Sequence, residues 1–278
     1  MVSTSAAAAR HRIPPARHRP DPGTWRNDRL TLAWLGHATV LINFFGRWIL
    51  TDPALRNRIG VYLGVGTVGP RRLIQPALRT RELPRLDLLM ISHAHMDHLD
   101  QGTLRRIDAE TPVVASRGTA DLLTRFTTVA ELSWGERALI GDLQVESIPA
   151  RHWGARMITD RNRGYGGFLL DHGEHRILFT GDTAYTDSYK DIGQERPVDL
   201  AIVPIGAYDP WIANHASPEQ AWAMSRDMRA EYVLPVHHST FRLSREPADE
   251  PIRRFIAAAG TESWRVVATE VGSTWSLG

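Results

Sequence analysis

Residues 87–99 read D-L-L-M-I-S-H-A-H-M-D-H-L, an apolar run that ends in three histidines and an aspartate within six positions. The run predicts a buried strand over 87–92. His93 and His95 are one residue apart, so in extended chain leaving that strand both imidazoles point to the same side. Asp97 and His98 follow where the chain must turn. Two neighbouring pairs of donors fit two adjacent metal ions better than one, because a tetrahedral zinc takes about four ligands at roughly 2.0–2.2 Å and four adjacent residues rarely surround it without strain. A solvated polar loop would not need such a density of ligand-type side chains behind a buried strand.

A two-metal site needs donors from elsewhere, and further candidates stand just past other predicted strands. His152 follows 143–149, Asp182 follows 176–180, and the pair His237 and His238 follows 232–236. Each is weak alone, but their shared position at strand ends is not. The chain contains no cysteine, so imidazole and carboxylate must supply every metal ligand, and a thiol nucleophile is excluded.

Outward from this stretch, short β-rich runs at 30–35, 39–45 and 48–51, punctuated by Gly36, Gly46 and Asp52-Pro53, predict an antiparallel meander. Residues 56–81 are Gly- and Pro-rich and predict a long loop near the site. Strands are expected at 112–116, 167–170, 200–204 and 264–268, with a last one at 274–277, and helices at 118–126, 221–230 and 252–259. Ser217-Pro218-Glu219-Gln220 marks a helix start, with serine as cap and proline in the first turn. The pattern predicts an α/β fold, two packed sheets flanked by helices, in a single domain over 30–278.

The 278 residues are 42% hydrophobic and 23% charged, the composition of a folded globular chain. A formal net charge of +2 is too small to argue nucleic-acid binding. No apolar run reaches the ~18–20 residues of a membrane span, and no signal-peptide core is visible, which gives a cytoplasmic expectation. Basic residues concentrate in 1–29, where Arg10, Arg12, Arg17, Arg19, Arg26 and Arg29 alternate with prolines. Such an arm is expected to be disordered or extended and solvated, with contact to an anionic membrane surface as the alternative.

The run H-A-H-M-D-H, with His152, G-D-T at 181–183 and V-H-H-S at 236–239, resembles the metallo-β-lactamase fold superfamily of binuclear metal hydrolases. L-G-H-A-T-V-L at 35–41, T-D-P at 51–53, G-P-R-R at 69–72, F-T-G-D-T-A-Y at 179–185, P-I-G-A-Y at 204–208, N-H-A-S-P-E-Q-A at 214–221 and H-H-S-T-F at 237–241 resemble the branch containing N-acyl-phosphatidylethanolamine-hydrolysing phospholipase D. The resemblance implies an αββα sandwich of two mixed β-sheets flanked by helices. It further implies one metal on His93, His95 and His152, a second on Asp97, His98 and His237, and Asp182 bridging both. Met96 departs from the tyrosine usual in that branch, and His238-Ser239 from a tryptophan-glycine pair, so the substrate pocket is where this chain differs.

Two divalent ions sharing a water lower its pKa from 15.7 toward about 7, and polarise a phosphoryl or carbonyl oxygen. Zinc is expected, with manganese or iron as alternatives for a carboxylate-bridged pair. Asp97 is also placed to orient the hydroxide, and His37 and Asp52 are candidates for fixing the metal-binding imidazoles. His215 stands before a helix start, and the resemblance implies that it faces the scissile phosphodiester. Arg72, Tyr208 and His238 are candidates for substrate contact. The expected activity is hydrolysis of a lipid or small-molecule phosphodiester. The alternatives are a lactonase or other carbonyl hydrolase and, outside enzymes, a metal-binding scaffold.

Overall fold

A computed structural model describes residues 12–157, 160 and 162–277. The predicted meander is formed by β1 (Leu30–Gly36), β2 (Thr39–Phe44) and β3 (Arg47–Thr51). The first two are buried along their whole length, because the sheet they start is covered on both faces. Next come a small hairpin, β4 (Val61–Tyr62) and β5 (Thr67–Val68), inside the predicted 56–81 loop, then β6 (Leu88–Ile91) and a single-turn helix α1 (Gln101–Leu104). β7 (Val113–Ser116), β8 (Val129–Leu132), β9 (Arg137–Ile140) and β10 (Leu143–Ile148) follow. The rest of the chain forms β11 (Gly167–His172), β12 (His175–Phe179), α2 (Tyr189–Glu195), β13 (Leu200–Pro204), α3 (Pro218–Asp227), β14 (Tyr232–Val236), α4 (Glu250–Ala259) and β15 (Thr274–Ser276).

These strands make two large mixed sheets, ordered β15-β1-β2-β3-β6-β7-β8 and β14-β13-β12-β11-β10-β9. Alternation along the second sheet sorts its side chains between two cores. Ile177, Phe179, Leu200, Ile202, Leu234 and Val236 face the first sheet, while Leu178, Ala201, Val203 and Val233 pack under the helices. Trp222 of α3 meets Phe255 of α4 edge to face at 5.7 Å in that outer layer. Burying an aromatic such as Phe255 contributes roughly 1.5–3 kcal/mol. The start of α3 is as the sequence predicts: Ser217 Oγ accepts from the Gln220 amide at 3.3 Å, and the Gln220 side-chain oxygen accepts from the Ser217 amide at 3.0 Å.

Two predicted elements differ. Residues 118–126 form only a 3-10 turn at Ala120–Leu122, because Leu123 and Phe126 are drawn into the core and the Thr119 and Ala120 amides are taken by the Glu131 carboxylate of β8. The predicted strand at 264–268 is reduced to a bridge between Val233 and Val266, since a 3-10 segment continues from α4 to Arg265 and uses that length. The first part of the predicted 1–29 arm, through residue 11, lies outside the described residues. Residues 12–29 are without strand or α-helix, with a 3-10 turn at Pro22–Thr24 and a further turn at 27–28 before β1. Ile13 and Pro20 are buried, Trp25 stacks on Trp48 at 5.4 Å, and Arg17 and Arg19 pair with Glu270 and Glu82 at 2.7 Å each.

Candidate metal centre

The topology explains why donors from distant sequence meet. β1, β3 and β6 point the same way in the first sheet, as do β10, β12, β13 and β14 in the second, so their C-terminal ends share one rim. β6 delivers Ser92 to His98, β10 leads to His152, β12 to Asp182 and β14 to His237. The β1–β2 turn supplies His37, and the end of β3 supplies Asp52.

On this rim two groups of donors lie side by side. In one, His93 Nε2 and His152 Nε2 lie 2.7 and 3.2 Å from His95 Nδ1, three ring nitrogens converging on one point. In the other, Asp97, His98 and His237 gather with His37. Asp182 Oδ2 stands 3.1 Å from both His98 Nε2 and His237 Nε2, and 3.9 Å from His152 Nε2, so it reaches both groups.

A ring of partners holds these donors from behind. Asp52 accepts from the Ser92 amide at 2.7 Å and from the Ser92 hydroxyl, and its Oδ2 lies 2.6 Å from His98 Nδ1. Ser92 Oγ lies 2.9 Å from His93 Nδ1, the Asn214 carbonyl 3.0 Å from His152 Nδ1, and His37 Nε2 2.8 Å from Asp97 Oδ2. His93, His98 and His152 therefore each have Nδ1 committed outside the cage and Nε2 turned inward, the arrangement that fixes tautomer and ring orientation in metal-binding histidines. Arg156 braces the ligand loop by donating to the Ala94 and Leu99 carbonyls at 2.7 and 2.9 Å.

The backbone at the rim is strained. His37, Asp52, Ala207, His237 and Ser239 all have φ between 33° and 64°, a region non-glycine residues seldom adopt. Such positions cost about 1–3 kcal/mol each and persist where the surrounding structure imposes them, commonly at functional sites.

Burial and mutual repulsion push the His93 imidazole well below its ordinary range, and His152 is pushed down to about 3, Asp182 only partly opposing. Their lone pairs are thus free at neutral pH. Burial also opposes charge on His98 and His237, but Asp182 and Asp97 outweigh it, raising His98 and bringing His237 to about 9. The same histidines overcome burial at Asp97 and Asp182 and hold both carboxylates ionised. Inside this cage His98 Nε2, His237 Nε2 and Asp182 Oδ1 have no hydrogen-bond partner among the described residues. Buried polar atoms left this way cost about 1–3 kcal/mol each, and a cation would satisfy them together. Imidazole and carboxylate donors with no thiolate fit zinc, manganese or iron.

A pocket of about 300 Å³ opens over the donors, walled by Met96, Trp153, Trp211, Ala207 and Leu243, with His215 at its side. His215 Nδ1 is buried 3.8 Å from Asp182 Oδ2, and burial pushes its imidazole down to about 4. The other residues expected to touch substrate are held elsewhere. Tyr208 donates its hydroxyl to Glu250 at 2.7 Å under the Arg254 guanidinium, and His238 packs on Trp34 at 4.5 Å with Nδ1 2.9 Å from Ser239 Oγ. Arg72 is buried against Gly36 and the Phe241 ring, where burial pushes its guanidinium down to about 9. None of the three lines the pocket. Ser92, Asn214, Arg156 and Leu243 escaped the sequence reading. Ser92 carried a signal in its place between the buried strand and the first ligand, and Asn214 in opening the N-H-A-S-P-E-Q-A run; Arg156 and Leu243 carried none.

A sandwich of two mixed sheets with this cage on its rim has the metallo-β-lactamase fold. The chain belongs to the beta-lactamase superfamily domain family, whose model matches residues 47–238, and with it to the metal-dependent hydrolases of that superfamily. It is 35% identical over 254 residues to an uncharacterised protein of Mycobacterium tuberculosis, covering 87% of this chain and 68% of the relative. It is 31% identical over 271 residues to N-acyl-phosphatidylethanolamine-hydrolyzing phospholipase D 1 of Caenorhabditis elegans, covering 88% and 75%. Among solved structures, isothiocyanate hydrolase from Delia radicum gut bacteria shares the fold, with a TM-score of 0.71 at 17% identity over 89% of this chain and 99% of that one. No helix among the described residues is long and apolar enough to cross a membrane.

Proposed function

We propose that the protein hydrolyses phosphodiesters of the phospholipid type with two divalent cations, zinc in the first instance. The observation that carries this reading is Asp182, whose carboxylate reaches a three-histidine group on one side and the Asp97, His98 and His237 group on the other. His93, His95 and His152 would hold one ion, Asp97, His98 and His237 the other, and Asp182 both. When bound, such a pair supplies a water acidified to near neutrality and Lewis-acid stabilisation of charge on the phosphoryl oxygen.

The chain's own groups do the positioning. His37 Nε2 fixes Asp97, so that carboxylate is set to orient the attacking water, and Asp52 and Ser92 keep His98 and His93 turned inward. His215, neutral at physiological pH and beside Asp182, offers an N–H to an anionic phosphoryl oxygen at the pocket side. Trp153, Trp211, Met96 and Leu243 give the other side of the pocket an apolar wall that suits an acyl-bearing leaving group. The likeness to a phospholipase D supports the phosphoryl choice.

The test is a panel on metal-loaded enzyme: bis-p-nitrophenyl phosphate, N-acyl-phosphatidylethanolamine, simple lactones and a β-lactam. Turnover of the two phosphodiesters is expected. Lactone turnover with inert phosphodiesters would move the activity to carbonyl chemistry.

A further inference from the structure

The β4–β5 hairpin projects a group of apolar side chains into water. Tyr62, Leu63, Val65 and Val68 are 57%, 62%, 102% and 61% exposed, with Gly64 and Gly66 between them. Isolated exposed apolar residues are ordinary, but a cluster confined to one projecting tip marks an interaction surface. At the base of the hairpin lies a cleft of about 920 Å³ lined by Arg56, Arg58, Arg79, Arg81 and Arg106, with no acidic residue in its lining. Arg56 stands 3.9 Å from the buried Asp100, whereas Arg58, Arg79, Arg81 and Arg106 form no ion pair among the described residues.

We propose that the hairpin and this cleft form one docking surface for a bilayer carrying anionic headgroups. Leu63 and Val65 enter the acyl boundary, and the arginines hold headgroup phosphates around them. An apolar tip beside clustered cations is the composition of interfacial membrane binding, where buried apolar area and attraction to anionic lipid act together. A second copy fits less well, because a two-fold contact through this face sets arginines against arginines. The arm at the N-terminus is a poorer candidate, since Arg17 and Arg19 are already paired with Glu270 and Glu82.

The surface connects to the metal pocket. Ile59, at the foot of the hairpin, clusters with Ala54 and Phe241, Leu243 packs against them, and Leu243 lines the pocket. Docking thus brings the pocket toward the membrane, a consequence that rests on the lipid reading above for its purpose but not for its existence.

The experiment is co-sedimentation of the full metal-loaded chain with phosphatidylcholine vesicles made with and without phosphatidylglycerol. Binding is expected only with phosphatidylglycerol, and it weakens in high salt. The Arg79→Gln/Arg81→Gln pair should weaken it about tenfold or more, and Leu63→Ser/Val65→Ser should abolish it, both retaining metal content and thermal midpoint. Equal binding to both vesicle types, or binding unchanged in both double variants, overturns the proposal. So does a concentration-dependent dimer that Leu63→Ser/Val65→Ser dissolves while vesicles stay unbound, which would assign the face to a second copy. Turnover of soluble bis-p-nitrophenyl phosphate is read separately: vesicle binding without it leaves the docking surface standing and removes the phosphodiesterase reading, whereas turnover without vesicle binding keeps that reading and overturns the docking surface.

Discussion

Asp52 touches no substrate in this account, yet one carboxylate orients three groups, the Ser92 amide, the Ser92 hydroxyl and His98 Nδ1. Asp52→Asn keeps the shape and suits the φ of 33°, since asparagine tolerates the left-handed region better than most residues. The variant should fold and lose about 10–100-fold in metal affinity, read by competition with a chelating dye. Unchanged affinity would leave Asp52 as mere packing. His215→Ala is expected to behave oppositely: metal content is retained while phosphodiester turnover falls by about 10²-fold. Full turnover on every substrate found would remove His215 from the mechanism.

At the scale of elements, Gly181 joins β12 to the cage with φ of +60°, and a Cβ there would sit 2.5 Å from the Gly166 carbonyl oxygen and 2.8 Å from Ser92 Cβ. Gly181→Ala should therefore lower stability by at least ~1–3 kcal/mol, visible as a lower denaturation midpoint, and loosen metal binding by displacing Ser92. The strands that carry the donors were legible as apolar runs closed by Ser92, Thr180 or His237, or in β10 as an alternating run closed by Pro149, and the donors because they stand just beyond them. Short amphipathic pieces were not: 118–126 has helical spacing, but its apolar residues were claimed by the core. The substrate contacts were not legible either. Left-handed φ values at Ala207 and His237 precede Tyr208 and His238, and these two side chains end up on Glu250 and Trp34 rather than in the pocket. Both left-handed positions fall on non-glycine residues, and the neighbouring Gly206 marks the close approach to the His237 carbonyl rather than the turn at Ala207.

Across the whole molecule, the cage links stability to pH and metal. An unfolded histidine titrates near 6.5, whereas His237 in the folded, metal-free chain is raised to about 9, the pull of Asp182 and Asp97 exceeding the cost of burial. Its protonated form therefore stabilises the fold fully below about 6.5, and that stability is lost as pH rises through about 9. Asp97 and Asp182 are held low, so their contribution is present above the ordinary carboxylate range and lost as acid protonates them. With chelator present, the thermal midpoint should fall between pH 7 and about pH 10. Saturating metal should raise the midpoint at every pH and remove most of that alkaline decline, because the bound imidazoles are already neutral. An alkaline decline that metal leaves unaltered would mean that the cage does not govern it.

Both the proposed chemistry and the bridging place of Asp182 depend on the number of ions. Elemental analysis of protein purified without added metal and assayed on bis-p-nitrophenyl phosphate measures this directly. About two ions per active chain are predicted, with Asp182→Ala losing both metal and activity; fewer than one ion per chain in fully active enzyme would contradict the account.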